Sequence, residues 1–192
     1  FRSRRLSRFV ASLFDVFIGI SSQQYIFRHA TVHHNFTNMN HFDVDLDNIS
    51  ILRLSPAFKK MKVQKYQKFY AFALYALGTL TWSLCDIGRL MGGKVARHDL
   101  PKYTPTDIAL QLGMKALYVG LTLVIPIYLH GWLLALAGFL FVHALLGVAI
   151  GLIFQAAHAV EGCEFVEPTP GEKLSIDDSW FEHQLKTTAN FS

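Results

Sequence analysis

Three imidazoles lie within six residues, in His29-Ala30-Thr31-Val32-His33-His34. On an α-helix, residues four apart share a face, so His29 and His33 project together and His34 sits one step round. Neutral imidazole is the commonest protein metal ligand and suits iron, zinc and copper. A fourth histidine, His158, ends a long apolar run in the context Gln155-Ala156-Ala157-His158-Ala159-Val160-Glu161. An ionisable group where a membrane helix meets water is costly and usually functional. The candidate metal ligands are therefore His29, His33, His34 and His158. A solvated His-rich patch and a helix-capping histidine are the plain alternatives. HxxxHH beside membrane-length apolar segments makes metal binding the stronger reading.

Three further residues are candidates to orient a ligand from behind, by accepting or sharing an imidazole N–H. Glu161 lies three residues beyond His158 and would share its helix face. His41, with Asp43 and Asp45, follows the cluster closely. His183 lies near the end of the chain and ranks below His158 as a ligand, because no helical partner sets its direction.

Composition sets the frame for these residues. Of 192 residues, 52% are hydrophobic and only 17% are charged, which is too apolar for an ordinary soluble domain. The net charge of +4 does not point to nucleic acid, because the Lys and Arg residues flank apolar spans, as membrane orientation requires. Cys85 and Cys163 are the only cysteines, so no disulfide framework is indicated. The chain starts at Phe1 and stops after Asn190-Phe191-Ser192, and an internal piece of a longer protein is the expectation.

The elements that must position the histidines follow from hydropathy. A basic start (Arg2, Arg4, Arg5, Arg8) leads into residues 9–20, an apolar stretch too short to span and suited to an interfacial helix. A polar Asn/Asp stretch and a lysine run (Lys59, Lys60, Lys62, Lys65, Lys68) follow the cluster. Three apolar segments come next, at about 69–84, 112–129 and 132–157, the last two separated only by His130-Gly131. If His158 and the cluster bind the same metals, they share one membrane face, and only two of the three segments cross. The short link makes the second and third a tight hairpin, so the first lies in the interface or dips and returns. Basic residues on both its flanks place both ends on the cytoplasmic side. The expected organisation is a cytoplasmic cap (1–68), an interfacial helix (69–90), a transmembrane hairpin (112–157) and a cytoplasmic segment (158–192). The fold class is all-α, an integral membrane helical protein.

These residues resemble the membrane fatty acid desaturase family. The match runs through HxxxHH with His34-Asn35-Phe36-Thr37-Asn38, then Gln67-Lys68-Phe69-Tyr70, then Ala157-His158-Ala159-Val160-Glu161. Ile176-Asp177-Asp178-Ser179-Trp180 and His183-Gln184-Leu185-Lys186-Thr187-Thr188-Ala189-Asn190-Phe191 are similar to the front-end, linoleoyl or delta-6-like branch. The resemblance implies a cofactor of two iron ions held by three histidine boxes and one extra histidine. Here His29, His33 and His34 match the second box and His158 the extra ligand. The first and third boxes are missing, so the chain is expected to be one part of a single desaturase domain, inactive alone. No catalytic residue beyond the metal ligands is implied. The activity implied is oxygen-dependent introduction of a cis double bond into a membrane-bound acyl chain, on acyl-CoA or on an acyl lipid. The implied partners are the lipid acyl substrate, O2 and cytochrome b5 or ferredoxin with its reductase. The location is a bacterial inner membrane or the endoplasmic reticulum, with the active site on the cytoplasmic face. The alternatives are a histidine-box membrane hydroxylase of lipids or alkanes, and a non-catalytic metal-binding membrane protein.

Of the remaining histidines, His143 lies within the third apolar segment and is read chiefly as a hydrogen-bonding partner for a neighbouring helix, with a place in an acyl tunnel as the alternative. His130 sits at the hairpin turn, on the far side from the cluster. His98, in a charged loop, is read as solvated.

Overall fold

Three helical stretches of the chain are long and apolar enough to cross a membrane: Lys62–Leu90, Pro105–His130 and Trp132–His158. A computed structural model places them around the histidine cluster and describes residues 4–46, 51–91, 93–95, 97–168 and 179–189. Two parts of the family-like motifs, Ile176-Asp177-Asp178 and Asn190-Phe191, lie outside the described residues. So does Arg2 of the basic start.

The chain opens with α1 (Arg4–Ile18) and a short α2 (Ser22–Ile26). Leu6, Phe9, Val10, Leu13 and Phe17 form an exposed apolar stripe along α1 at helical spacing. That pattern suits a helix lying in a membrane interface. Gly19, at φ +73°, breaks α1 against the ring of Tyr118, where a Cβ would meet ring carbons at 2.4 Å.

The long α3 (Gln67–Leu90) is tied at both ends to the polar cap that carries the histidines. At its start, Gln67 Oε1 accepts from the Arg53 amide (2.8 Å) and the Tyr70 hydroxyl donates to the Ile51 carbonyl (2.8 Å). Just past its end, β1 (Lys94–Val95) pairs antiparallel with β2 (His98–Asp99), and Val95 packs in a small core with Val32 and Val44. His98 is not the solvated residue expected. It is half-buried, stacks on Phe36 with ring centroids 5.3 Å apart and contacts the Phe42 carbonyl oxygen at 3.1 Å.

The hairpin is built from α4 (Pro105–Val119), α5 (Ile125–His130) and α6 (Trp132–His158). Thr104 and Asp107 cap α4 reciprocally, and Pro105 occupies its first turn, where a missing N–H costs nothing. A wide π turn runs over Gly120–Val124, just ahead of Pro126. Proline removes one backbone donor and crowds the carbonyl four residues earlier, and the wider turn absorbs that crowding. Gly131 turns the chain at φ +81°, a conformation open to glycine. Leu133, Leu134, Phe141, Leu145 and Ile153 are exposed around α6, as expected where lipid rather than protein is the neighbour.

Small residues bring α3 and α6 together. A Cβ on Gly147 would lie 2.1 Å from the Tyr75 carbonyl oxygen, and one on Gly151 would lie 2.7 Å from the Tyr75 ring. Such close backbone approach is how helices associate without a hydrophobic driving force in lipid. A polar latch joins the α1–α2 corner to α3 and α4. Asp86 Oδ2 accepts from the Ser21 amide (2.6 Å), Gln24 donates to the Asp86 carbonyl (2.9 Å), and Lys115 donates to the Ser83 carbonyl (2.8 Å) and to Gly19. The latch sets the starting point of the segment that carries the histidines.

Gly147→Val should lower the melting temperature of the detergent-solubilised protein sharply, since overpacking of this kind costs about 1–3 kcal/mol. Gly138→Ala, where a new Cβ meets nothing within 4 Å, should leave it unchanged.

Candidate metal centre

The segment after α2 does not continue as a regular α-helix. It widens into a π turn over Phe27–Val32 and tightens into a 3-10 turn over His33–Asn35. The change in pitch gathers all three histidines. Ring centroids are 5.3 Å apart for His29–His33, 4.6 Å for His29–His34 and 5.3 Å for His33–His34. His158, the last residue of α6, closes the group at 4.8 Å from His33 and 6.2 Å from His34. Ligating atoms of His33, His34 and His158 all lie within 4.8 Å of one another, as do those of His29, His33 and Asp45.

Each ring is held by its surroundings. His33 Nδ1 donates to Asp43 Oδ1 (2.8 Å), which leaves its Nε2 for a metal. Asp43 is fully buried and also accepts from the amides of Asp45 (2.8 Å) and Asn38 (2.9 Å). Asp45 pairs with Arg28 (2.6 Å), whose guanidinium lies 4.5 Å over the Trp82 ring. His29 is stacked between Tyr25 and Phe154, each 5.1 Å away, and its buried Nδ1 has no hydrogen-bond partner. A buried, unpaired imidazole nitrogen within a cluster of imidazoles fits a metal ligand, because such a group otherwise pays its full desolvation cost.

The electrostatics agree with that fit. Burial, and then the neighbouring His33, push His29 down to about 4. Burial and His33 likewise lower His34. Both rings are therefore neutral at pH 7, the form that ligates. Burial opposes the charged form of His33, but the Asp43 hydrogen bond and the charges of Asp45 and Asp43 outweigh it and raise its pKa. The cationic charge favoured there is one that a metal on Nε2 can replace. Burial also disfavours the Asp45 carboxylate, but Arg28 and His33 hold its pKa below the usual range.

The last described segment backs the cluster. α7 (Trp180–Thr187) is capped reciprocally by Ser179 and Glu182. Gln184 donates to the His34 carbonyl (2.8 Å), the Ala189 amide donates to Ala157 (2.7 Å), and Thr188 Oγ1 lies 3.4 Å from His158 Nδ1. Asn38 donates from one amide to the carbonyls of His158 (2.6 Å) and Thr187 (3.1 Å), joining three segments.

The four predicted ligands thus come together, while the three predicted orienting residues do not share one role. α6 ends at His158, so Glu161 stands exposed in the following turn and the shared helix face expected for it does not form. His41 is exposed at φ +68°, with its ring 5.4 Å from Phe58. His183 is fully buried on α7. The contact to His33 comes from Asp43, one of the two aspartates that the sequence places beside His41. Asn38 and Gln184 had no sequence signal beyond their place in the motifs, although Asn at φ +55° is one of the few residues at ease there.

Asp43→Ala should weaken metal retention by about 10- to 100-fold, the usual loss when a ligand's supporting carboxylate is removed. Metal content after dialysis against a graded chelator measures it.

Comparison with known proteins gives the same direction. The profile described as fatty acid desaturase matches residues 1–192. The chain is 33% identical over 190 residues to the sn-1 linoleoyl-lipid 6-desaturase of Synechocystis sp., covering 97% of this chain and 52% of that protein. It is 33% identical over 177 residues to the enzyme of the same name from Arthrospira platensis, covering 91% and 47%. A probable Delta(5) fatty acid desaturase C of Dictyostelium discoideum is 25% identical over 189 residues, covering 96% and 41%. No solved structure matches. The chain spans about half the length of the first two relatives. With the profile matching from end to end, the chain belongs to the fatty acid desaturase family.

Proposed function

We propose that this chain forms the core of an oxygen-dependent desaturase acting on a membrane-bound acyl chain. The observation that carries the reading is the convergence of His29, His33, His34 and His158 at the end of an apolar hairpin. The names of the two cyanobacterial relatives favour a linoleoyl-type chain carried on a lipid. His29, His33, His34 and His158 would hold part of a pair of iron ions, and further ligands would come from segments beyond residues 1–192. When bound, the irons would supply the oxidising power, drawn from O2 and two donor electrons, to break unactivated methylene C–H bonds. The two hydrogens leave adjacent carbons, and O2 is reduced to two waters. Cytochrome b5 or ferredoxin with its reductase would supply the electrons.

The chain's own residues position and insulate this chemistry. Asp43 fixes the tautomer and direction of His33. Tyr25 and Phe154 hold the His29 ring by stacking. Trp82 and Phe154 form an aromatic wall beside the imidazoles, where it keeps water from the reacting carbons. Asn38 and α7 lock His158 against the cap.

We infer a topology in which α4–α5 and α6 cross the membrane and α3 does not. The attachment of both ends of α3 to one cap supports it. The histidines then lie on the cytoplasmic face, in the bacterial inner membrane or the endoplasmic reticulum.

Two results are expected. In the full-length protein, His29→Ala, His33→Ala, His34→Ala and His158→Ala should each reduce desaturation of host lipids to background, read by gas chromatography of the fatty acids. A variant with near-normal product would remove that residue from the ligand set. In a cysteine-free background, Lys102→Cys and Ser179→Cys should react with an impermeant thiol reagent from one side of sealed vesicles, and His130→Cys from the other. Labelling of positions 102 and 130 from the same side would overturn the two-span arrangement.

A further inference from the structure

The chain between Asp47 and Asp86 holds no carboxylate, yet Lys59, Lys60, Lys62, Lys65 and Lys68 fall within ten of its residues. All five lysines are exposed. No carboxylate among the described residues pairs with any of the five, whereas Lys94 and Lys115 have Asp99 and Asp86. Like charges this close repel one another unless an anion offsets them.

The fold fixes this segment instead of leaving it a loose run. Arg53 donates to the carbonyls of Phe58 (2.6 Å) and Pro56, which closes the loop ahead of the lysines. Gln64 is buried and accepts from the Met61 amide (2.8 Å). The 3-10 turn over Lys62–Tyr66 is thereby pinned from within and leads straight into α3. Around Gln64 the apolar side chains point outward: Met61, Val63, Tyr66 and Phe69 are 40%, 41%, 52% and 72% exposed. Ammonium groups lie beside two of these rings, Lys65 at 4.6 Å from the centre of Tyr66 and Lys68 at 5.0 Å from that of Phe69. Arg53, Phe58, Lys59, Lys60 and Lys62 line a cavity of about 530 Å³. That is within the range of small-molecule sites, about 300–1,000 Å³.

We propose that residues 59–69 form a docking surface for the anionic lipid head groups of the adjoining membrane leaflet. The cavity receives a phosphate-bearing head group, and the exposed apolar side chains enter the acyl boundary. Three features favour a lipid surface over an acidic protein. Lysines alternate with exposed apolar side chains, the pattern of a segment lying in an interface, where lysine stems run along apolar surface and their charges reach the head groups. Interfaces between proteins, by contrast, are depleted in lysine. Past Lys68 no charged residue occurs until Asp86, so the basic segment sits where α3 leaves head-group level for apolar surroundings. On the topology inferred above, the segment faces the cytoplasmic leaflet, which is the negatively charged one. The contact is independent of the chemistry at the histidines.

The test uses the full-length protein in a cysteine-free background, with Val63→Cys carrying a fluorophore, reconstituted in nanodiscs. At equal mole fraction in phosphatidylcholine, spin-labelled phosphatidylglycerol should quench the fluorophore more than spin-labelled phosphatidylcholine does. The expected ratio is roughly fivefold or more, the preference that one lysine at an anionic surface supplies. The excess should vanish in about 1 M NaCl, where charges are screened beyond ~3 Å. It should also vanish in a Lys60→Gln, Lys62→Gln, Lys65→Gln variant, which removes surface charge and no packing. Equal quenching by the two lipids with all five lysines present overturns the proposal, and so does quenching by neither. An excess that persists in the triple variant removes these lysines from the surface and overturns it as well. A soluble acidic protein such as ferredoxin, added to discs of phosphatidylcholine alone, should leave the fluorescence unchanged. A saturable change with that protein, together with no preference between the lipids, would give the surface to a protein partner and reject the lipid reading.

Discussion

The carboxylate of Asp43 is the interaction on which the rest of the site depends. It is fully buried and receives the His33 imidazole and the amides of Asn38 and Asp45. A buried carboxylate is tolerable only when its lone pairs are filled, and here the donors come from both sides of one tight loop. The loop therefore closes on the ligand it orients. Asn38, held in its left-handed conformation by the same loop, reaches out to His158 and Thr187. One carboxylate thus aligns His33, a candidate metal ligand, and, through its neighbour, registers the end of α6 and the segment after it.

The helices serve this arrangement in two ways. α6 delivers His158 to the cap at the end of a span whose own backbone bonds are internally satisfied. α3 runs beneath the cap, gives Trp82 to the aromatic wall, and is fixed at both ends to the residues that surround the histidines. The Asp86–Lys115–Ser21 latch holds the other edge. The cluster is thus gripped from three sides, as a preorganised site requires. The same glycines that bring α3 against α6 also set the width of the cavity between them.

The relatives matched by sequence are named desaturases, and the reaction proposed for this chain needs a strong oxidant kept from water. Stacked aromatic rings, Trp82 and Phe154, line the cavity between α3 and α6 beside the imidazoles. Arg28 and Asp45, which also line it, neutralise each other.

Much of this was legible in the residues themselves. Apolar run lengths identify the spans, since crossing hydrocarbon demands about twenty such residues whatever the surroundings. Spacing and residue type single out His29, His33, His34 and His158, because few other side chains ligate as neutral nitrogen. In the sequence, the proposed return of α3 to its starting side rests on parity and charge placement alone. Other features are properties of neighbours distant in sequence. The π turn that gathers the cluster, the end of α6 at His158 that leaves Glu161 outside, and the partial burial of His98 against Phe36 all depend on packing between segments far apart in the chain. The choice of Asp43 over His41 or Glu161 as the group behind His33 was decided by loop closure, which no spacing rule encodes. The contacts among Thr79, His143 and Tyr118 have the same origin. Each residue alone is an ordinary polar side chain in an apolar helix, and only the approach of three helices makes them one hydrogen-bonded chain.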